Sequence, residues 1–190
     1  MTPQQINTFW LDEVGEKHWY KGSSDLDQTI IDRFGAAWQR ADSLASEWAG
    51  TAEGALATLI LTDQFPRNMF RDNARSFATD KLARRVADQA IAAGFDMATP
   101  EPARQFFYLP FMHSEEMGDQ NRAVILFEER MPGDNLRHAH LHREVIRRFG
   151  RFPWRNDPLG RETTPQDRAF LDAGGYGALD SGSVSLADAG

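Results

Sequence analysis

The chain has 190 residues, 41% hydrophobic and 26% charged, with a net charge of −7, a mean hydropathy of −0.54 and no cysteine. A chain of this size buries roughly 70% of the surface it exposes when unfolded, so its core needs no disulfide or metal, and the lack of cysteine excludes thiolate catalysis and cysteine-ligated zinc. No apolar run approaches the roughly 20 residues of a membrane span, and Met1-Thr2-Pro3-Gln4-Gln5 lacks the basic-then-apolar form of a signal peptide, so a cytoplasmic protein with no membrane partner is expected.

Helical periodicity runs along nearly the whole chain. Thr2 and Pro3 read as the cap and first residue of a helix that carries Ile6, Phe9, Trp10 and Val14 up to Gly15. From Asp25 to Trp48 the apolar residues Leu26, Ile30, Phe34, Ala37, Ala41, Leu44 and Trp48 recur about every 3.6 residues, which predicts one long helix. A third helix begins near Thr51 with Leu56, Leu59 and Ile60 and is expected to stop at Phe65-Pro66. A fourth spans about Ala74 to Ala93, with Leu82, Val86 and Ala90 on its stripe and Gly94 at its end.

After Pro100 and Pro102, a fifth segment places Phe106, Leu109 and His113 at helical spacing. Residues from Asp119 to Met131 and from Asn135 to Phe149 form the sixth and seventh helices, separated by the turn Pro132-Gly133-Asp134-Asn135. Thr164-Pro165-Gln166-Asp167 opens a short eighth that ends at Gly174-Gly175. No segment alternates as a strand would. The expectation is a single all-α domain over residues 1–175, an array of about eight antiparallel helices, followed by a loosely ordered tail over 176–190.

Polar residues on apolar stripes point to a site. Asp63 falls about 20° from Leu56 on a helical projection, and a buried carboxylate needs a cation or donor, for which Arg67 and an imidazole are candidates. His113 lies in line with Phe106 and Leu109. His138 and His142 share the direction of Leu141, Val145, Ile146 and Phe149, whereas His140 points away. The pair His138-x-x-x-His142 lacks the glutamate and third ligand of the helical zinc motif, so neither a metal nor another cofactor is assigned. Between Arg137 and Arg161 seven arginines face two acids, Glu144 and Asp157; the acidic total speaks against nucleic acid, but such a patch suits a small anion. Gln64-Phe65-Pro66-Arg67-Asn68 is echoed by Arg151-Phe152-Pro153-Trp154-Arg155-Asn156, a Phe-Pro helix stop followed by donors.

Three stretches resemble a bacterial family known only as domain of unknown function 924: Leu59 to Arg71, Leu109-Pro110-Phe111-Met112-His113-Ser114-Glu115, and His142-Arg143 through Arg148-Phe149-Gly150-Arg151-Phe152-Pro153. The resemblance implies an all-α fold like that of tetratricopeptide-repeat proteins and implies no reaction. Trp154 departs from the histidine expected after Phe152-Pro153. The family motifs fall on Asp63, Arg67, Asn68, His113, Glu115, His142, Arg151, Arg155 and Asn156.

The expected function is binding of a small anionic ligand or an acidic peptide end in one inter-helix pocket. Arg67, Arg151 and Arg155 would clamp the anion, Asn68 and Asn156 would orient it, and His113 and His142, held by Asp63 or Glu115, would set its pH response. Two other readings stay open: a hydrolase with His113 or His142 as general base, and an interaction scaffold whose inward polar groups form a closed network.

Overall fold

The computed structural model describes residues 1–183, all helical or irregular, with no strand among them. Residues 184–190, the last seven of the fifteen in the expected tail, lie outside the described residues. The chain divides into two compact units, residues 1–110 and 111–190.

In the first unit, helix α1 (Pro3–Asn7) starts at Thr2, whose hydroxyl accepts from the Gln5 N–H while the Gln5 side chain accepts from the Thr2 N–H. The chain continues as a wider π-turn over Thr8–Val14 and stops at Gly15, where φ is +73°. The predicted long helix is two helices, α2 (Ser24–Trp38) and α3 (Ala41–Trp48), because Arg40 leaves helical geometry at φ −108°, ψ 17°. The bend keeps Ile30, Phe34 and Ala37 of α2 and Ala41, Leu44 and Trp48 of α3 buried, so the apolar period runs on across the break.

Helix α4 (Ala52–Leu59) passes through a π-turn, Ile60–Gln64, directly into α5 (Phe65–Met69). Pro66 therefore does not stop the helix as expected. It sits in the first turn of α5, just after the π-turn, and the Thr79 hydroxyl donates to the Thr62 carbonyl one turn back. Every residue from Gly54 to Pro66 is buried, making this the central element of the unit. Around it pack Ile6, Phe9, Trp10 and Phe34, with Phe34 and Phe65 ring centroids 4.8 Å apart. Helix α6 (Asp80–Ala92) buries Leu82, Val86 and Ala90 and yields at Gly94 to the short α7 (Phe95–Ala98). The stretch around Phe106 is a 3-10 turn, Ala103–Phe107.

A short helix, α8 (Leu109–Met112), carries the chain past the boundary between the units. In the second unit α9 (Met117–Arg130) and α10 (Asp134–Phe149) form a hairpin through Gly133, an arrangement compatible with the expected helical-hairpin array. Helix α10 ends at Gly150 with φ +66°. A 3-10 turn, Pro153–Arg155, leads to α11 (Pro165–Asp172), capped reciprocally by Thr164 and Asp167. Val145, Ile146, Phe152, Phe170 and Leu179 form the core of this unit. Leu179 belongs to α12 (Gly175–Asp180), so the first residues of the expected tail are helical: Leu179 and Tyr176 pack on that core and hold the segment down.

Candidate functional site

Asp63, Arg67 and Asn68 belong to the first unit, and the other six candidates to the second. Asp63 sits in the π-turn at 1% exposure. Its carboxylate accepts from the Gln64 amide and lies 3.3 Å from Arg67 Nη1. The Arg67 guanidinium also forks onto Asp80, with Nη1 to Oδ1 at 3.1 Å and Nη2 to Oδ2 at 3.3 Å. Burial works against the charge on Arg67, but Asp63 and Asp80 outweigh it and raise its pKa above the ordinary arginine value. The cation expected beside Asp63 is thus Arg67, one turn along the same helix. The second acid, Asp80, comes from another helix and carried no signal in the sequence.

The two Phe-Pro segments build the same clasp, one in each unit. Phe65 and Phe152 are both fully buried. Asn68 Nδ2 donates to Asp27 at 2.8 Å, and Asp27 also accepts from Arg71. Asn156 Nδ2 donates to Asp167 at 3.1 Å, and Asp167 lies 3.0 Å from Arg151 Nη2. Each aspartate stands in the first turn of a helix, α2 or α11, where a negative charge also meets the positive end of the helix dipole. Asn68, Asn156 and Arg151 therefore have structural partners within their own units. Glu115 has them too: Arg161 grips it with Nη1 at 2.7 Å and Nη2 at 3.0 Å, and the Phe152 N–H donates to it at 2.8 Å. Burial pushes the Glu115 carboxyl up, yet these donors and the charges of Arg155 and Arg161 prevail and hold it below the usual carboxylate range.

His142 differs from these saturated groups. Arg155 Nη2 donates to the His113 carbonyl at 2.9 Å, and its guanidinium lies 4.6 Å from the centre of the Phe152 ring. The rings of His113 and His142 are 6.5 Å apart. His142 is half-buried against Tyr176 at 4.6 Å, Phe152 at 5.4 Å and Trp154 at 6.2 Å. Its Nδ1 lies 2.9 Å from the His138 carbonyl; a carbonyl only accepts, so Nδ1 carries the proton and Nε2 presents a lone pair. No described residue donates to that lone pair. Burial drives the His142 pKa down to about 3; the His138 carbonyl opposes this, and His113, Arg155 and His138 add to it. His142 is thus a neutral acceptor in an aromatic surround.

Stripe geometry found His142 but missed Tyr176, Trp154 and Arg161. Tyr176 stood in the part of the chain read as a tail, and Arg161 in an irregular stretch with no period to orient it. His138 lies 2.7 Å from the Tyr176 hydroxyl and 3.5 Å from Asp180. Ser114 is buried, and its hydroxyl accepts from the Glu116 N–H. Among the described residues no group of three or more His, Asp or Glu side chains is placed to hold a metal ion, and no helix is long and apolar enough to cross a membrane.

Comparison with known proteins identifies relatives without a reaction. The family model for a bacterial protein of unknown function, DUF924, matches residues 6–175. The solved structure of a protein of unknown function from Agrobacterium tumefaciens, ATU0120, is similar with a TM-score of 0.85 and 44% identity, over 90% of this chain and 96% of that one. No curated protein matches the chain.

Proposed function

We propose that this chain, which belongs to the bacterial protein family of unknown function DUF924, binds a small ligand whose hydroxyl or N–H group donates to Nε2 of His142. The observation that carries the reading is the unpartnered lone pair of a neutral imidazole among Phe152, Trp154 and Tyr176. The ring is half-buried, so a ligand donor that reaches Nε2 takes the place of water at a site flanked by apolar rings. Carboxylates hold Arg137, Arg147, Arg151 and Arg161, but the charge of Arg155 acts at His142 and favours a negative charge elsewhere on the ligand, so hydroxylated carboxylates and phosphates are the best class.

The guanidinium clamp expected from Arg67 and Arg151 has less support, because carboxylates of the protein already hold both. Hydrolysis with His142 as the base has less support than binding for two reasons. A histidine with a pKa of about 3 is a weak general base at neutral pH, and Ser114 is buried with its hydroxyl accepting from the Glu116 N–H.

The test is a thermal-shift screen of hydroxylated carboxylates and phosphates on the wild type and on His142→Phe. A ligand at ten times its Kd should stabilise by about 1.4 kcal/mol and raise Tm by roughly 3–6 °C in a chain of this length. The same ligand should leave His142→Phe unmoved. A screen that shifts neither protein, or both equally, contradicts the reading.

A further inference from the structure

We propose that α12 is a hinged cover over the His142 imidazole, with Tyr176 as the part that shields it. The idea that this controls ligand access rests on the reading above; the cover itself rests on the geometry of α12 and is tested without a ligand.

Helix α12 has six residues, fewer than a helix needs to persist without tertiary support. It follows two consecutive glycines in left-handed backbone, Gly174 at φ +101° and Gly175 at φ +56°, a conformation glycine reaches at little steric cost. A methyl group on Gly174 would lie 2.9 Å from Ala178 Cβ, so this junction is built around the absent side chain.

What ties α12 down is a small set of contacts, all to neighbours in its own unit. Leu179 is its only buried side chain besides the backbone of Gly175. Tyr176 lays its ring on His142 and brings its hydroxyl to within 2.7 Å of His138 Nδ1. Arg137 reaches Asp180 through its side chain at 2.7 Å and the Asp180 carbonyl at 3.1 Å. The Arg137 and Asp180 side chains are 47% and 35% exposed, and ion pairs so open to water add little. The Tyr176 ring also meets Trp154 at 5.6 Å and His138 at 6.2 Å. One buried apolar anchor, Leu179, and one half-buried aromatic, Tyr176, thus hold the helix on its glycine pivot, and a segment held by two side chains opens without the rest of the unit unfolding. Opening removes Tyr176 from the face of His142 and bares the imidazole.

The experiment measures carbethoxylation of each histidine by diethyl pyrocarbonate, mapped by mass spectrometry on the full chain, in the wild type, Tyr176→Ala and Leu179→Ala. The reagent attacks neutral imidazole, so access rather than protonation sets the rate at His142. Both variants should speed His142 by about tenfold while the exposed His18 and His140 stay within about twofold. An unchanged His142 rate in both variants overturns the proposal. Should all histidines accelerate together, the variants have lost their fold, and hydrogen exchange of the wild type decides. Amides of α12 exchanging about a hundredfold faster than those of α10 support the cover, and equal protection overturns it.

Discussion

Replacing Glu115 by Gln puts an amide donor where two guanidinium N–H groups and a backbone N–H now find an acceptor. Breaking one side of a half-buried pair should cost about 2 kcal/mol in urea unfolding near pH 7, less than a fully buried pair would. Because the folded pKa of Glu115 is depressed, its stabilisation is present above the unfolded value and lost as pH falls through the folded one, so wild type and Glu115→Gln should converge in acid. His142 has the same sign of linkage, in a higher pH window. Its unfolded form takes a proton below about 6.5, whereas its folded form resists until about 3. The wild type should therefore lose about 1.4 kcal/mol of stability per pH unit on this account across that window. His142→Phe should lack that slope and stay within about 1 kcal/mol of wild type near pH 7, since the His138 carbonyl keeps its place in the helix; urea midpoints at several pH values read both effects.

Among the elements, glycines separate two kinds of position. Gly35 lies within α2, where a methyl group in place of its hydrogen would meet nothing within 4 Å, so Gly35→Ala should raise stability by about 0.5–1 kcal/mol. Gly150 ends α10 at φ +66° in equally open space. There Gly150→Ala should cost about 1 kcal/mol by backbone strain alone, and thermal unfolding of the two variants should move in opposite directions. Caps and glycine stops at Thr2, Thr164, Gly15 and Gly94 were legible because each rests on local chemistry. The break at Arg40 was not, since the buried stripe continues across it. The inward direction of Asp63 was legible but carried little information: the chain from Gly54 to Pro66 is buried on every side, so any residue placed there would have been judged inward. The π-turn that holds Asp63 leaves no mark in an apolar period of 3.6.

For the whole molecule, the all-α class and the family were both readable, the first from periodicity and the second from three motifs that agree with the match over residues 6–175. The candidate site was readable only in part. Residue types on stripes identify buried polar groups, but whether a group is saturated depends on partners such as Asp80, Asp27, Asp167 and Arg161, which only tertiary structure brings within reach. That sorting leaves His142 as the acceptor with capacity to spare, and the functional reading stands or falls with it. Histidine side-chain NMR across a pH titration measures this directly. The account predicts that His142 keeps its proton on Nδ1, leaves Nε2 bare and remains neutral down to about pH 4. A His142 that titrates near 6.5, or carries its proton on Nε2, would contradict it.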